Sequence, residues 1–160
     1  MAGIKAYGAY IPYRRLPRSV INAAWGRGGG GRGEKAVAGI DEDSISMAVS
    51  ASIDCLKGID PKTIDAVYLA TTTAPYSERL NANIVANALD CRRDIRNADF
   101  TSCLRAGSTA LQAALDAVKS GEMKNVLVAI ADTRMGGASG EDEMMLGDGA
   151  AAFLVGNDDI

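Results

Sequence analysis

Ala98-Asp99-Phe100-Thr101-Ser102-Cys103-Leu104-Arg105-Ala106-Gly107-Ser108 is the stretch whose reading decides the fold. Ala98 to Ser102 has the look of a short strand that runs straight into Cys103. A helix follows, because Leu104, Ser108, Leu111, Leu115 and Val118 recur at helical offsets and make one apolar seam. Lys119 and Gly121 close that helix. Downstream, Asn125 to Ala131 reads as a strand that is apolar from its second residue on, a polar, glycine-rich and acidic loop follows, and Ala150 to Val155 makes a last strand. Upstream, Ala66 to Ala70 is a near-continuous apolar run, the mark of a strand covered on both faces. Between it and the deciding stretch, Asn81 to Leu89 is helical with Ile84, Val85, Ala88 and Leu89 inward.

Toward the N-terminus, Gly3 to Ile11 alternates and ends at Pro12, which predicts a first strand. Arg14, Arg15 and Arg18 precede a short helix from Val20 to Trp25. The glycine run from Gly26 to Gly33 is too costly in backbone entropy for a helix or strand, so it is a loop. A phosphate cradle there would need a preceding strand and a GxxxxGK[ST] pattern, and the run has neither. Asp41, Glu42 and Asp43, with Ser44 as cap, open a helix whose buried face is Ile45, Ala48, Val49, Ile53 and Leu56. The order is βαβαβαββ. Strands alternating with helices imply parallel pairing, and the last two strands, with no helix between them, pair antiparallel. The expectation is an α/β protein built on a five-stranded mixed sheet, with residues 1–160 as a single unit.

Composition narrows the functional classes. The chain has 160 residues, 48% of them hydrophobic, a formal net charge of −3 and a pI near 5.0. A nucleic-acid partner is not expected, since such proteins concentrate Lys and Arg and have a pI above ~9. Nor is a membrane partner, since no apolar run approaches the ~20 residues a spanning helix needs. With no signal segment at the N-terminus, the expected location is the cytoplasm. Cys55, Cys91 and Cys103 are odd in number and widely spaced, which suits neither a disulfide framework nor zinc ligation, so no metal is expected. There is no histidine at all, so any imidazole base must come from outside the chain.

Cys103 is the candidate reactive residue. At a junction between strand and helix, unpaired backbone N–H groups and the helix dipole steady a thiolate, and the same N–H groups can hold an oxyanion. Small neighbours at Ala106, Gly107 and Ser108 leave room for a substrate. The bland reading is a small buried apolar residue, as most free cysteines are, and Cys55 on its helix is read that way. A redox cysteine is a third reading, without a resolving partner nearby.

Five stretches add a resemblance: Gly8-Ala9-Tyr10-Ile11-Pro12, Glu34-Lys35-Ala36-Val37 with Asp41-Glu42-Asp43-Ser44, and Ala82-Asn83-Ile84-Val85-Ala86, then Ser102-Cys103 through Gly107-Ser108-Thr109-Ala110-Leu111-Gln112, and Gly147-Asp148-Gly149-Ala150-Ala151. In this order they resemble the N-terminal half of the thiolase superfamily, specifically hydroxymethylglutaryl-CoA synthases, and more distantly ketoacyl synthase III. The resemblance implies a thiolase-like half-fold. It also implies an acyl-CoA acyltransferase that forms or cleaves a C–C bond through an acyl-cysteine on Cys103, with a coenzyme A thioester as substrate and no further cofactor. Trp25 and Arg27 fall where related enzymes place residues near the CoA entrance, and Gly147 to Ala151 falls beneath the active site.

There are two departures. Where the family carries a general-base glutamate, this chain has Ala70-Thr71-Thr72-Thr73-Ala74-Pro75-Tyr76, with Thr72 in the glutamate's place. A threonine hydroxyl cannot take a proton at neutral pH as a carboxylate does, which leans the reading toward a thiolase-like or ketoacyl-synthase-like reaction. Glu78 is read as a solvated loop charge. The family's second half, which supplies the histidine, has no counterpart within these 160 residues. An apolar sheet layer meant for a twin half implies association, with a second copy or with a partner chain that supplies that half. The reading from another class is a non-catalytic scaffold subunit that keeps the half-fold.

Overall fold

The computed structural model describes residues 1–26, 32–134 and 136–157. The elements run β1 (Ala2–Tyr10), β2 (Arg14–Pro17), α1 (Arg18–Ala24), β3 (Glu34–Val37), α2 (Ser44–Cys55), β4 (Ala66–Ala70), α3 (Asn81–Ala88), β5 (Arg96–Phe100), α4 (Ala106–Lys119), β6 (Asn125–Asp132), α5 (Glu141–Met145) and β7 (Gly149–Asn157). Five strands form one sheet in the order β1-β7-β6-β4-β5. β4 pairs in parallel with β5 and β6, while β7 runs antiparallel to both β6 and β1. The expected five-stranded mixed α/β sheet, with its last two strands antiparallel, is the sheet observed. Two features lie outside the expected βαβαβαββ order: a small ribbon of β2 on β3, and the short helix α5 in the acidic loop. Both are too short for a periodic pattern to reveal.

Period-two alternation gives each central strand two buried faces. Val67 and Leu69 of β4, Leu127 and Ala129 of β6, and Leu154 of β7 join one core with α2 and α3. Ala66 and Ala70 of β4, Val126 and Val128 of β6, and Val155 of β7 join the other with α4. A helix therefore lies on each side of the sheet. Burying one such Leu or Val is worth about 1.5–3 kcal/mol.

Several local readings need correction. The N-cap of α2 is Asp43, not Ser44: its side chain accepts from Ser46 N at 2.7 Å while Ser46 Oγ accepts from Asp43 N at 2.8 Å, a reciprocal capping box. Ser44 is fully buried instead, and its Oγ donates to Thr73 O at 2.9 Å. Ile53 is 56% exposed, and Met47, Ala51 and Ser52 take the buried face beside Ile45 and Ala48. On α3, Ala88 is exposed and Asn81 and Ala82 are buried.

The largest correction is α4. It starts at Ala106, and its buried line is Ala106, Ala110, Ala114 and Val118. Leu111 and Leu115 are only half-buried, and Leu104, in the turn before the helix, is 82% exposed. A line of alanines lets the helix sit close to the sheet: a Cβ added at Gly107 would lie 3.0 Å from Ile130 Cδ1. The leucines, too wide for that gap, are turned aside. A similar close approach occurs at Gly8 of β1, where a Cβ would lie 2.3 Å from Cys55 N at the end of α2.

Candidate active site

The C-terminal ends of the parallel strands β4, β5 and β6 open on one edge of the sheet, the place where α/β folds present reactive groups. Each strand hands its chain to that edge differently. β4 ends at Ala70 and continues into Thr71-Thr72-Thr73. β5 ends at Phe100, two residues earlier than the sequence suggests, so Thr101 and Ser102 form a turn with Ser102 at φ 64°. β6 ends in Asp132 and continues into Thr133 and Arg134.

Cys103 lies in that turn, before the first residue of α4. Its Sγ accepts from Arg105 N at 3.4 Å and its carbonyl accepts from Ala106 N at 3.0 Å, which winds the chain into the helix. The residue is exposed, whereas Cys55 and Cys91 are buried and burial pushes both thiols up from their ordinary value of 9.0. Cys103 lines a cavity of about 300 Å³ together with Thr72, Gly107, Ile130, Asp132 and Arg134.

The threonines build a directed hydrogen-bond network around Asp132. Its Oδ1 accepts from Thr71 Oγ1 at 3.0 Å, Thr72 Oγ1 at 3.0 Å, Thr73 Oγ1 at 2.9 Å and Thr72 N at 2.7 Å. Each hydroxyl in turn accepts from one N–H: Thr71 from Thr73 N, Thr72 from Arg134 Nη1 at 2.7 Å, and Thr73 from Thr133 N. Every proton in the ring points toward the carboxylate, so the hydroxyls strengthen one another and tie the end of β4 to the end of β6. Asp148 adds a tie from below, accepting from Arg134 N and from Ala38 N, each at 2.7 Å.

No family model matches the chain. Over 96% of its length it is 38% identical to hydroxymethylglutaryl-CoA synthase of Pyrococcus horikoshii, covering 45% of that protein. It superposes on a crystal structure of HMG-CoA synthase complexed with CoA at a TM-score of 0.87, with 23% identity, over 98% of this chain and 42% of that one. This is a thiolase-like half-fold of the hydroxymethylglutaryl-CoA synthase type. The same fold appears in the priming β-ketosynthase of the R1128 polyketide pathway, at a TM-score of 0.87 and 26% identity, over 100% of this chain and 51% of that one. This hydroxymethylglutaryl-CoA synthase-like chain spans about half the length of the curated relatives it matches.

The residues singled out from sequence fall in different places. Cys103 and Thr72 line one cavity. Trp25 does not line it: it follows α1, is 44% exposed, and its Nε1 donates to Glu143 Oε2 of α5 at 2.9 Å. Arg27 and the glycine run over 27–31 lie outside the described residues. Glu78 is exposed. Asp132 and Arg134 are cavity residues that sequence reasoning passed over as part of a polar loop. The signal was present, in a charged Asp-Thr-Arg at the carboxyl end of an apolar strand. Among the described residues no cluster of His, Cys, Asp and Glu is placed to hold a metal ion.

Proposed function

We propose that the chain is the cysteine-bearing half of an acyl-CoA acyltransferase, with Cys103 as the residue that carries the acyl group. The observation that carries this reading is the exposed Cys103 sulfur in a cavity at the carboxyl ends of three parallel strands, with a backbone N–H directed at it. In the loading step Sγ attacks the thioester carbonyl, the new C–S bond forms on Cys103, the bond to the CoA sulfur breaks, and the thiol proton ends on that sulfur. Covalent capture divides one hard step into two easier ones. A carbon nucleophile then takes the acyl group to make a C–C bond, or the reverse reaction cleaves one.

Thr72 is a relay hydroxyl and not a base, since its proton is committed to Asp132 and its lone pair to Arg134. With no histidine among its residues, the chain takes its base from a second half, supplied by a partner chain or by further polypeptide. Exposed Leu104 and the half-buried Leu111 and Leu115 support α4 as the surface that half covers. Residues 1–160 act as one unit, in the cytoplasm, where the three unpaired thiols stay reduced.

The test is intact-mass spectrometry of the protein after incubation with acetyl-CoA, alone and with a candidate second half. A thioester adduct that maps to Cys103 and is lost in Cys103→Ala is the expected result. No adduct in either condition supports the other reading, a scaffold subunit, which the missing histidine favours.

A further inference from the structure

We propose that Arg134 makes the Cys103 cavity selective for a short acyl group that ends in a carboxylate, an inference that rests on Cys103 being the acyl-accepting thiol. Arg134 is half-buried and lines the same cavity as the sulfur. Its guanidinium makes one hydrogen bond, from Nη1 to Thr72 Oγ1 at 2.7 Å. Among the described residues it enters no ion pair, although six other pairs form across the surface. Asp132, two residues away, does not pair with it directly: the Thr72 hydroxyl stands between them, and one oxygen of Asp132 takes four donors from the threonine run.

A half-buried guanidinium with no direct ion pair still has N–H groups to satisfy, and those of its fork match the two oxygens of a carboxylate. The fork is also held in place. Arg134 N is fixed to Asp148 Oδ1, and Nη1 is fixed to a hydroxyl that is itself fixed to Asp132. A cavity of about 300 Å³ is at the small end for ligand sites, which suits an acyl chain of a few carbons. With its carbonyl at the sulfur and its far end at the guanidinium, a short dicarboxylic acyl group meets both fixed points. A neutral chain of equal length leaves the charge unpaired.

The experiment offers the intact protein succinyl-CoA and butyryl-CoA in equal amounts and reads the two adducts on Cys103 by peptide mass. The four-carbon chains differ only at the far end, so the ratio isolates the carboxylate. Wild type is expected to favour succinyl by about tenfold or more, the size of a charge-assisted hydrogen bond. Arg134→Gln brings the ratio close to one, and Arg134→Lys gives an intermediate ratio. A wild-type ratio of one, an unchanged ratio in Arg134→Gln, or an equal fall of both adducts overturns the proposal. The last outcome would assign Arg134 to the thioester oxygen or the pantetheine arm common to both. If neither thioester modifies Cys103 even with a candidate second half present, the acyl-cysteine reading fails on its own. Selectivity is then read by calorimetric binding of the same two thioesters: tighter succinyl-CoA binding in wild type but not in Arg134→Gln upholds the role of Arg134, and equal binding overturns it.

Discussion

The two faces of the central sheet are packed on different principles. Against α2 and α3 the core is made of large side chains, Met47, Ile64, Leu69, Leu127 and Leu154, all almost fully buried, and Cys55 and Cys91 are sealed with them. Against α4 it is made mostly of small ones, Ala66, Ala70, Ala106, Ala110, Ala114 and four valines beside one buried Met123, with the larger Leu111 and Leu115 only half-buried. A helix on the first face is held by what it buries. A helix on the second is held close to the sheet by what its residues lack, and it keeps leucines for a further layer. Cys103 sits in the turn before the second helix and is exposed to solvent.

Thiol chemistry tests this contrast most sharply. Iodoacetamide at neutral pH is expected to modify Cys103 at least about a hundredfold faster than Cys55 or Cys91, because buried thiols react only through opening of the core. Comparable rates at all three, read by peptide mass, would erase the distinction between the faces. Next in size is stability. Leu69→Ala on the α2 and α3 face is expected to cost about 2–5 kcal/mol in urea unfolding, while Leu104→Asp stays within ~0.5 kcal/mol and, if α4 is the docking face, lowers the assembly mass in sedimentation. A Leu104 variant that unfolds the chain would show that this residue belongs to the core after all.

A smaller effect is expected from Thr72→Val, which keeps the shape and deletes the hydroxyl that joins Arg134 to Asp132. The loss is about 1–2 kcal/mol in the same urea assay, and no loss would mean that the network does not hold the strand ends. The smallest is a slope. Burial raises the Cys55 and Cys91 thiols, so the folded state binds their protons more tightly than the unfolded chain does. That stability is fully present below the ordinary value of 9.0 and is lost as the pH rises beyond it. The double variant Cys55→Ala, Cys91→Ala is expected to flatten the alkaline fall of the urea midpoint.

Much of this was legible in residue order. Apolar runs such as Val67 to Ala70 and Val126 to Ala131 announced strands covered on both sides, and the lack of an apolar helical period before the last strand announced an antiparallel pair, the short α5 there notwithstanding. Cys103 was legible too, through its position between a strand and a helix. The α4 seam was not, because a pattern of leucines marks which side of a helix is apolar but not which side lies against the sheet. That was decided by the narrow gap, which Ala106, Ala110 and Ala114 fill and in which even a Cβ at Gly107 would crowd Ile130. Asp132 and Arg134 were hidden for a related reason, since what makes them part of a site is the meeting of three strand ends that lie about 30 residues apart along the chain.

Residue order alone gave the alternation of strands and helices, the lack of any histidine, and a cysteine at the junction of a strand and a helix, because these follow from residue type and local period. Only the tertiary structure decided which face of α4 is inward, which threonine meets which charge, and that a guanidinium shares the cysteine's cavity. Those depend on distances across the sheet, and no local pattern carries them.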